Sequence, residues 1–358
     1  MDTYVNPFNP PDDDLQPEDR IQRSRAELRA AEDDPALLSR LTGGMDRVDD
    51  PRLHTTVAGI TLENPLIAAA GWDKFGDAVK GLHLLGFAAV EVGTVSAEPQ
   101  DGNPQPRHFL PGPGVMLNRY GFNTPGMDVI ADKLERYRGG DTPMGISLGK
   151  NKHVPDDQAP EAYARVARRM LPYAAWFAIN VSSPNTPGLR GLQDKGPLTE
   201  IVKAVRAVSD TVPVFVKIAP DMTLSAVDDV IHVVVDADLA GIIAVNTTSN
   251  GDIKAAYGEH WREEMGGLSG DNAEYRRMAT EMIRHIRTQA GPKMAIMGAG
   301  GVKDTDTAIE KLRAGANCLQ VMTAIQTVGP RLPALINRGL LDYMEENGVT
   351  NISELVGA

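Results

Sequence analysis

Eight short apolar runs recur between residues 66 and 322, and they give way to Gly, Asn, Lys, Ser or Thr. They span 66–70, 88–92, 144–148, 176–181, 214–218, 241–245, 294–297 and 318–322. Helical periodicity fills the gaps between them, most clearly at 160–171, 197–210, 226–235, 273–288 and 305–314, with a last helix expected over 331–346. Runs without polar alternation read as strands buried on both faces, the condition of a parallel sheet covered by helices. Eight strand-helix units are the number that closes a (β/α)8 TIM barrel, whose functional groups gather at the C-terminal strand ends. An open, doubly wound α/β sheet is the alternative the same pattern allows.

No domain boundary is legible between Leu53 and Met344, and the sequence carries no internal repeat. The expected organisation is an acidic extension over residues 1–50, a barrel over 51–348 and a short tail over 349–358. The stretch 55–62 reads as a β-hairpin turning at Gly59, a plug for the barrel floor. Pro7, Pro10, Pro11 and the run Asp12-Asp13-Asp14 predict an irregular arm up to about Pro17. From Glu18 to Leu41 charges alternate in sign around sparse Ile21, Leu28, Leu37, Leu38 and Leu41, which fits one or two short surface helices. They read either as a solvated extension or as a cap over a site entrance.

The formal charge of -12 argues against a nucleic-acid partner or an anionic membrane surface, both of which select for basic patches. Cys318, the one cysteine, lies in a strand-like run and reads as a buried hydrophobe; it excludes an internal disulfide and suits a reducing compartment. No run approaches the roughly 18 apolar residues of a membrane span, and Met1-Asp2-Thr3 opens no signal sequence, so a cytoplasmic protein is expected. Oligomeric state stays open, a homo-oligomer included.

If the barrel forms, the residues after each strand meet at one mouth. These are Ala70, Gly71, Trp72, Asp73 and Lys74; Gly93 and Thr94; Gly149, Lys150 and Asn151; the polar stretch from Asn180 to Arg190; Asn246, Thr247 and Thr248; Gly298, Ala299, Gly300 and Gly301; and Thr323. Amides, hydroxyls and lysines dominate this mouth. Paired carboxylates and clustered His/Asp ligands are missing from it, which weakens glycoside hydrolysis and predicts no metal. His83, His232 and His285 fall in helical stretches and His54 by the hairpin, while His108, His153 and His260 are expected in loops without ligand spacing.

The glycines at 298–301, placed after strand seven and ahead of a helix, fit a phosphate-binding turn as well as a merely tight one. Lys217 interrupts an apolar strand. Pointing inward, it requires an anionic neighbour such as a reduced flavin ring; otherwise it snorkels to water. Asn118-Arg119-Tyr120-Gly121-Phe122-Asn123, in the excursion after strand two, suits a planar, amide-rich ligand or a simple helix-entry turn.

These runs, with Val216-Lys217-Ile218-Ala219-Pro220-Asp221 and Gly266-Gly267-Leu268-Ser269-Gly270, resemble the FMN-dependent dihydroorotate dehydrogenases over nearly all of 64–346. Serine at 183, where the soluble branch uses cysteine, is similar to the quinone-linked branch. The resemblance implies oxidation of dihydroorotate to orotate, with Ser183 as the base at C5 and hydride leaving C6 for FMN. It implies Lys74, Asn118, Gly121, Phe122, Asn123, Asn180, Asn185, Asn246 and Thr247 around the substrate. Ala70, Gly71, Lys74, Thr94, Ser147, Asn180, Lys217, Val245, Ser269, Gly270, Gly300, Gly301, Met322 and Thr323 would hold the cofactor, and residues 188–196 would form a lid.

The sequence departs from that pattern at Ser147, Val245 and Met322, where Asn, Thr and Tyr are expected. The branch's apolar N-terminal hairpin is replaced by an acidic stretch, and the arginine just ahead of residues 118–123 is missing. The implied second substrate is a quinone, fumarate or another acceptor. A flavin reductase acting on another cyclic amide or enone, and a non-catalytic FMN or pyrimidine-binding barrel, are the competing readings.

Overall fold

The computed structural model describes residues 4–11, 14–186 and 188–358; Met1, Asp2, Thr3, Asp12, Asp13 and Pro187 lie outside it, with the readings made on them. The strands are β1 Thr55–Val57, β2 Ile60–Leu62, β3 Leu66–Ala68, β4 Ala89–Val95, β5 His108–Gly112, β6 Val115–Asn118, β7 Met144–Leu148, β8 Trp176–Asn180, β9 Val214–Ile218, β10 Gly241–Ala244, β11 Gly267–Gly270, β12 Ala295–Ala299 and β13 Cys318–Val321. The helices are α1 Pro17–Ala31, α2 Pro35–Thr42, α3 Val79–Leu85, α4 Met127–Leu134, α5 Ala159–Met170, α6 Lys195–Arg206, α7 Leu224–Asp236, α8 Gly251–Ala255, α9 Ala273–Ala290, α10 Thr305–Arg313, α11 Thr323–Thr327 and α12 Leu332–Asn347.

Eight of these strands close a parallel barrel in the order β10-β12-β13-β3-β4-β7-β8-β9, so the TIM-barrel expectation is met. Alternate residues of each strand point in and out, and the two sets pack differently. Outward Val90, Val92, Val216, Ile218, Leu319 and Val321 join the large cluster under the helices. Inward Ala89, Trp176, Phe215 and Cys318 form a separate apolar floor, closed from below by Val57 and Leu62 of the hairpin. That hairpin turns through Ala58 and Gly59, both at positive φ, as a two-residue turn requires.

Three sequence expectations need correction. Strand seven runs through Gly298 and Ala299, leaving only Gly300 and Gly301 in the turn, and Thr323 opens α11 instead of ending a strand. Residues 108–118 are not a loop: β5 and β6 pair antiparallel, and β11 adds to β6, making a second three-stranded sheet. Pro111, Gly112, Pro113 and Gly114 masked it, since they read as breakers. His108 therefore sits in a strand, buried, with Nδ1 2.8 Å from the Tyr120 hydroxyl; desolvation, then Lys74, push its pKa down to about 3.

The charged N-terminal region is docked. Glu18, Ile21, Arg25 and Leu28 fall on one helical face of α1, and all four are buried. Glu18 pairs with Arg107 at 2.8 Å, and the Glu32 carboxylate accepts from Gly81 N at 3.0 Å and Tyr137 Oη at 2.9 Å. Ahead of α1, Phe8 is fully buried with its ring 5.6 Å from that of Trp72, and Asn6 Nδ2 donates to Gln326 O. At the other end, Ile352 and Leu355 are also buried.

Close packing of α1 on α3 makes a direct test available. A Cβ at Gly81 would stand 2.6 Å from Leu28 Cγ and 2.7 Å from the Leu28 carbonyl oxygen. Gly81→Ala should therefore lower Tm, with about 1–3 kcal/mol lost to overpacking. Helix propensity alone predicts the opposite sign, by roughly 1 kcal/mol; a rise in Tm would rule out this docking.

Candidate active site

At the C-terminal mouth the strand ends enclose a cavity of about 290 Å3. Every site residue expected from the sequence lines it except Ser147. Ser147 is fully buried behind the wall, and its hydroxyl is spent on Thr94 Oγ1 at 2.9 Å. It can act on the cavity only through that threonine. Tyr120, from the run 118–123, lines it too, as do Asp271, Tyr275, Lys303 and Gln320, which the sequence reading did not select.

One wall is an amide lattice built from four strand ends. Asn180 Nδ2 donates to Thr94 Oγ1 at 2.7 Å, and Asn246 Nδ2 donates to Ser182 Oγ at 3.0 Å. Asn185 Nδ2 donates to Asn118 Oδ1 at 3.1 Å, joining the loop after β8 to the second sheet. The Tyr163 and Tyr275 hydroxyls donate to the carbonyls of Asn180 and Asn246, both at 2.9 Å. Held this way, the amides present fixed donors and acceptors. Two buried oxygens in the lattice, Asn185 Oδ1 and Thr247 Oγ1, have no partner among the described residues, an expensive state unless a ligand satisfies them. Gly267 makes room for the threonine: a Cβ there would lie 1.9 Å from Thr247 Oγ1.

Ser183 is 6% exposed, and its Oγ accepts from Asn185 N at 3.3 Å. Among the described residues no carboxylate or imidazole hydrogen-bonds to it, so it has no conventional activating base. The following loop is latched. Arg190 donates to Ser182 O at 3.1 Å, Thr247 O at 3.1 Å and Asp221 Oδ2 at 2.8 Å, tying three strand ends, while Leu189 and Leu192 are buried.

Below the cavity the barrel interior is ionic. Lys217 Nζ donates to Gln320 Oε1 at 3.0 Å and lies 3.6 Å from Glu91 Oε1. Gln320 Nε2 and Trp176 Nε1 both donate to the other oxygen of Glu91, at 2.7 and 3.1 Å. The anion that Lys217 demands is thus supplied by the protein, and the lysine does not snorkel. Glu91 interrupts the apolar run 88–92 as plainly as Lys217 interrupts its own, but the sequence reading selected only the lysine.

The opposite end suits a phosphate. Gly300 and Gly301 hold φ of 100° and 80°, Ser269 Oγ and Thr323 Oγ1 lie 2.8 Å apart, and Lys303 pairs with Asp271 at 2.6 Å on the rim. A site with hydroxyls and glycine N–H groups at one end, a lysine under its middle and an amide wall beyond fits an elongated, phosphate-bearing planar cofactor.

This arrangement has relatives. The dihydroorotate dehydrogenase family profile matches residues 52–344. The chain belongs to the dihydroorotate dehydrogenase family. A dihydroorotate dehydrogenase (quinone) of Chloroflexus aurantiacus is 41% identical over 317 residues, covering 86% of this chain and 87% of that protein. One from Mycobacterium sp. strain KMS, of the same description, is 42% identical over 330 residues and covers 90% of each. Among solved structures, Eimeria tenella DHODH in complex with ferulenol superposes with a TM-score of 0.84 at 29% identity, covering 97% of this chain and 96% of that one. As a dihydroorotate dehydrogenase family member, the chain has no helix among its described residues long and apolar enough to cross a membrane.

Lys74 stands on the shared edge of this site. Its Nζ donates to Asn123 Oδ1 at 2.8 Å and lies 3.0 Å from the Tyr120 ring centroid. Burial, followed by the nearby Arg25 charge, holds its pKa well below the ordinary lysine range. The sign of the linkage follows: above the depressed pKa the amine is neutral, and a carboxylate beside it favours the ammonium form. Orotate binding should therefore take up protons between the free and the bound pKa. Calorimetry in buffers of differing ionisation enthalpy measures this, and a buffer-independent enthalpy would show that Lys74 does not change its charge on binding.

Proposed function

We propose that the protein oxidises dihydroorotate to orotate, with FMN bound along the cavity and Ser183 as the proton-abstracting group. The observation that carries the reading is the pair of buried, unpartnered oxygens, Asn185 Oδ1 and Thr247 Oγ1, on the wall that also holds Ser183. Dihydroorotate is a cyclic diamide bearing a carboxylate. Its N–H groups need acceptors of this kind, and its carbonyls need the side-chain N–H groups of Asn118, Asn123 and Asn246. Lys74 faces the carboxylate, and Gly121 and Phe122 close the ring plane from the second sheet.

Bound FMN supplies the hydride acceptor. Lys217 lies under the cavity to balance negative charge on the ring edge, with Glu91 and Gln320 holding its ammonium in place. Gly300, Gly301, Ser269, Gly270 and Thr323 would hold the phosphate and ribityl chain, while Ala70, Gly71, Thr94 and Asn180 would meet the ring. Val245 and Met322 offer apolar contact where a hydrogen bond would otherwise form. Ser183 would take the C5 proton at Oγ. Its own proton must leave by water or ligand, and the Arg190 latch keeps bulk solvent away while it does. The second half-reaction passes electrons to an acceptor, for which the relatives' description as quinone enzymes favours a quinone.

Anaerobic dihydroorotate should bleach the visible flavin band of the wild-type protein; an unchanged spectrum in an FMN-loaded sample overturns the reading. Ser183→Ala should retain FMN yet slow that bleaching by about 10²–10⁴-fold. A panel of short-chain quinones, fumarate and NAD under steady dihydroorotate identifies the acceptor. Turnover with fumarate or NAD and none with any quinone would sink the quinone assignment.

A further inference from the structure

A second, much smaller cavity of about 20 Å3 lies between α1 and the active site, and Gly71, Lys74, Tyr120 and Asn123 form a wall common to both. Arg25 of α1 lines it, 7% exposed, with its guanidinium carbon 5.0 Å above the Phe75 ring. Arg25 makes no hydrogen bond or ion pair with any described residue, and its Nε is buried without a partner. A guanidinium so deeply buried is costly unless an anion or acceptor meets it.

The surrounding charges do not supply that partner. Glu18, the only carboxylate among the described residues that line the cavity, is committed to Arg107 Nε and Nη2 and to Gln105. Asp73 is within electrostatic reach of Arg25, but its two oxygens accept from Asp77 N at 2.8 Å and Ala78 N at 2.9 Å, capping the start of α3. Lys74, the amine in the shared wall, has only the Asn123 amide oxygen and a ring face. A guanidinium without a hydrogen-bonded anion and an amine that a carboxylate would charge therefore converge on a space that holds one or two oxygen-sized atoms and no ring.

We propose that Arg25 and Lys74 form a carboxylate-binding subsite, with helix α1 lending the active site a second positive charge. The proposal rests on the functional reading above for the source of the carboxylate, which is either the substrate's own group or that of a carboxylate-bearing acceptor. Gln22, one turn earlier on the same face of α1, adds a side-chain amide to the cavity lining. The planar fork of arginine matches a carboxylate, whereas an uncharged quinone ring finds neither room nor a charge to answer here.

The test compares the FMN-loaded wild type with Arg25→Gln and Arg25→Lys, using FMN content and Tm to confirm folding. If the substrate is the source, Arg25→Gln weakens orotate binding roughly 10- to 100-fold and leaves uracil, the same ring without the carboxylate, unchanged. Arg25→Lys then stays within a few-fold of wild type. If the acceptor is the source, orotate binding holds and KM for fumarate rises, while KM for a neutral short-chain quinone does not. Formate gives a readout independent of turnover: it should raise Tm of the wild type more than that of Arg25→Gln. Parallel losses for orotate and uracil, or no change for orotate, fumarate and formate alike, overturn the subsite. A wild type that fails to oxidise dihydroorotate but keeps the formate difference overturns the functional reading and leaves the subsite standing.

Discussion

Pairing of β13 with β3, through Leu319 with Leu66, Gln320 with Ile67 and Val321 with Ala68, closes the sheet on itself, and the chemistry depends on that closure. With all eight strands parallel, every C-terminal end opens on one side, so Lys74, Asn180, Asn246 and Thr323 meet although long stretches of chain separate them. Closure also creates an interior sealed from helices and water alike. Along its axis that interior changes character, from an apolar floor, through the Glu91, Lys217 and Gln320 layer, to the amide mouth.

The ionic layer has a structural cost that only mutual pairing offsets. A carboxylate and an ammonium inside a barrel would each be strongly destabilising alone, and removing one typically costs about 3–5 kcal/mol. Here three strands contribute one polar group each, and Trp176 from a fourth completes the set. The result is a positive charge held at a fixed depth beneath the cavity.

Much of this was legible. The barrel strands are buried on both faces, so their apolar runs stand out from the helices between them, and the motifs at their ends named most of the cavity lining. What stayed hidden shares one cause: the partner is remote in sequence. Glu18 on α1 and Glu32 just past its end look like solvent-facing charges until Arg107 and Tyr137, 89 and 105 residues away, are brought against them. Ser147 looked like a cavity residue, but Thr94 stands between it and the space. The β5–β6–β11 sheet escaped notice because each strand is short and Pro and Gly lie among them.

The sequence by itself determined the number and type of barrel elements, because burial on two faces leaves a compositional trace in each strand. It also determined which residue types stand at the strand ends, since those lie beside the strands in the chain. Only the tertiary structure decided which groups face each other: Lys217 with Glu91, Asn185 with Asn118, and Arg25 with a cavity and no hydrogen-bonded carboxylate among the described residues. Pairings of that kind follow from strand register and helix docking, and these depend on contacts between segments that carry no mark of one another.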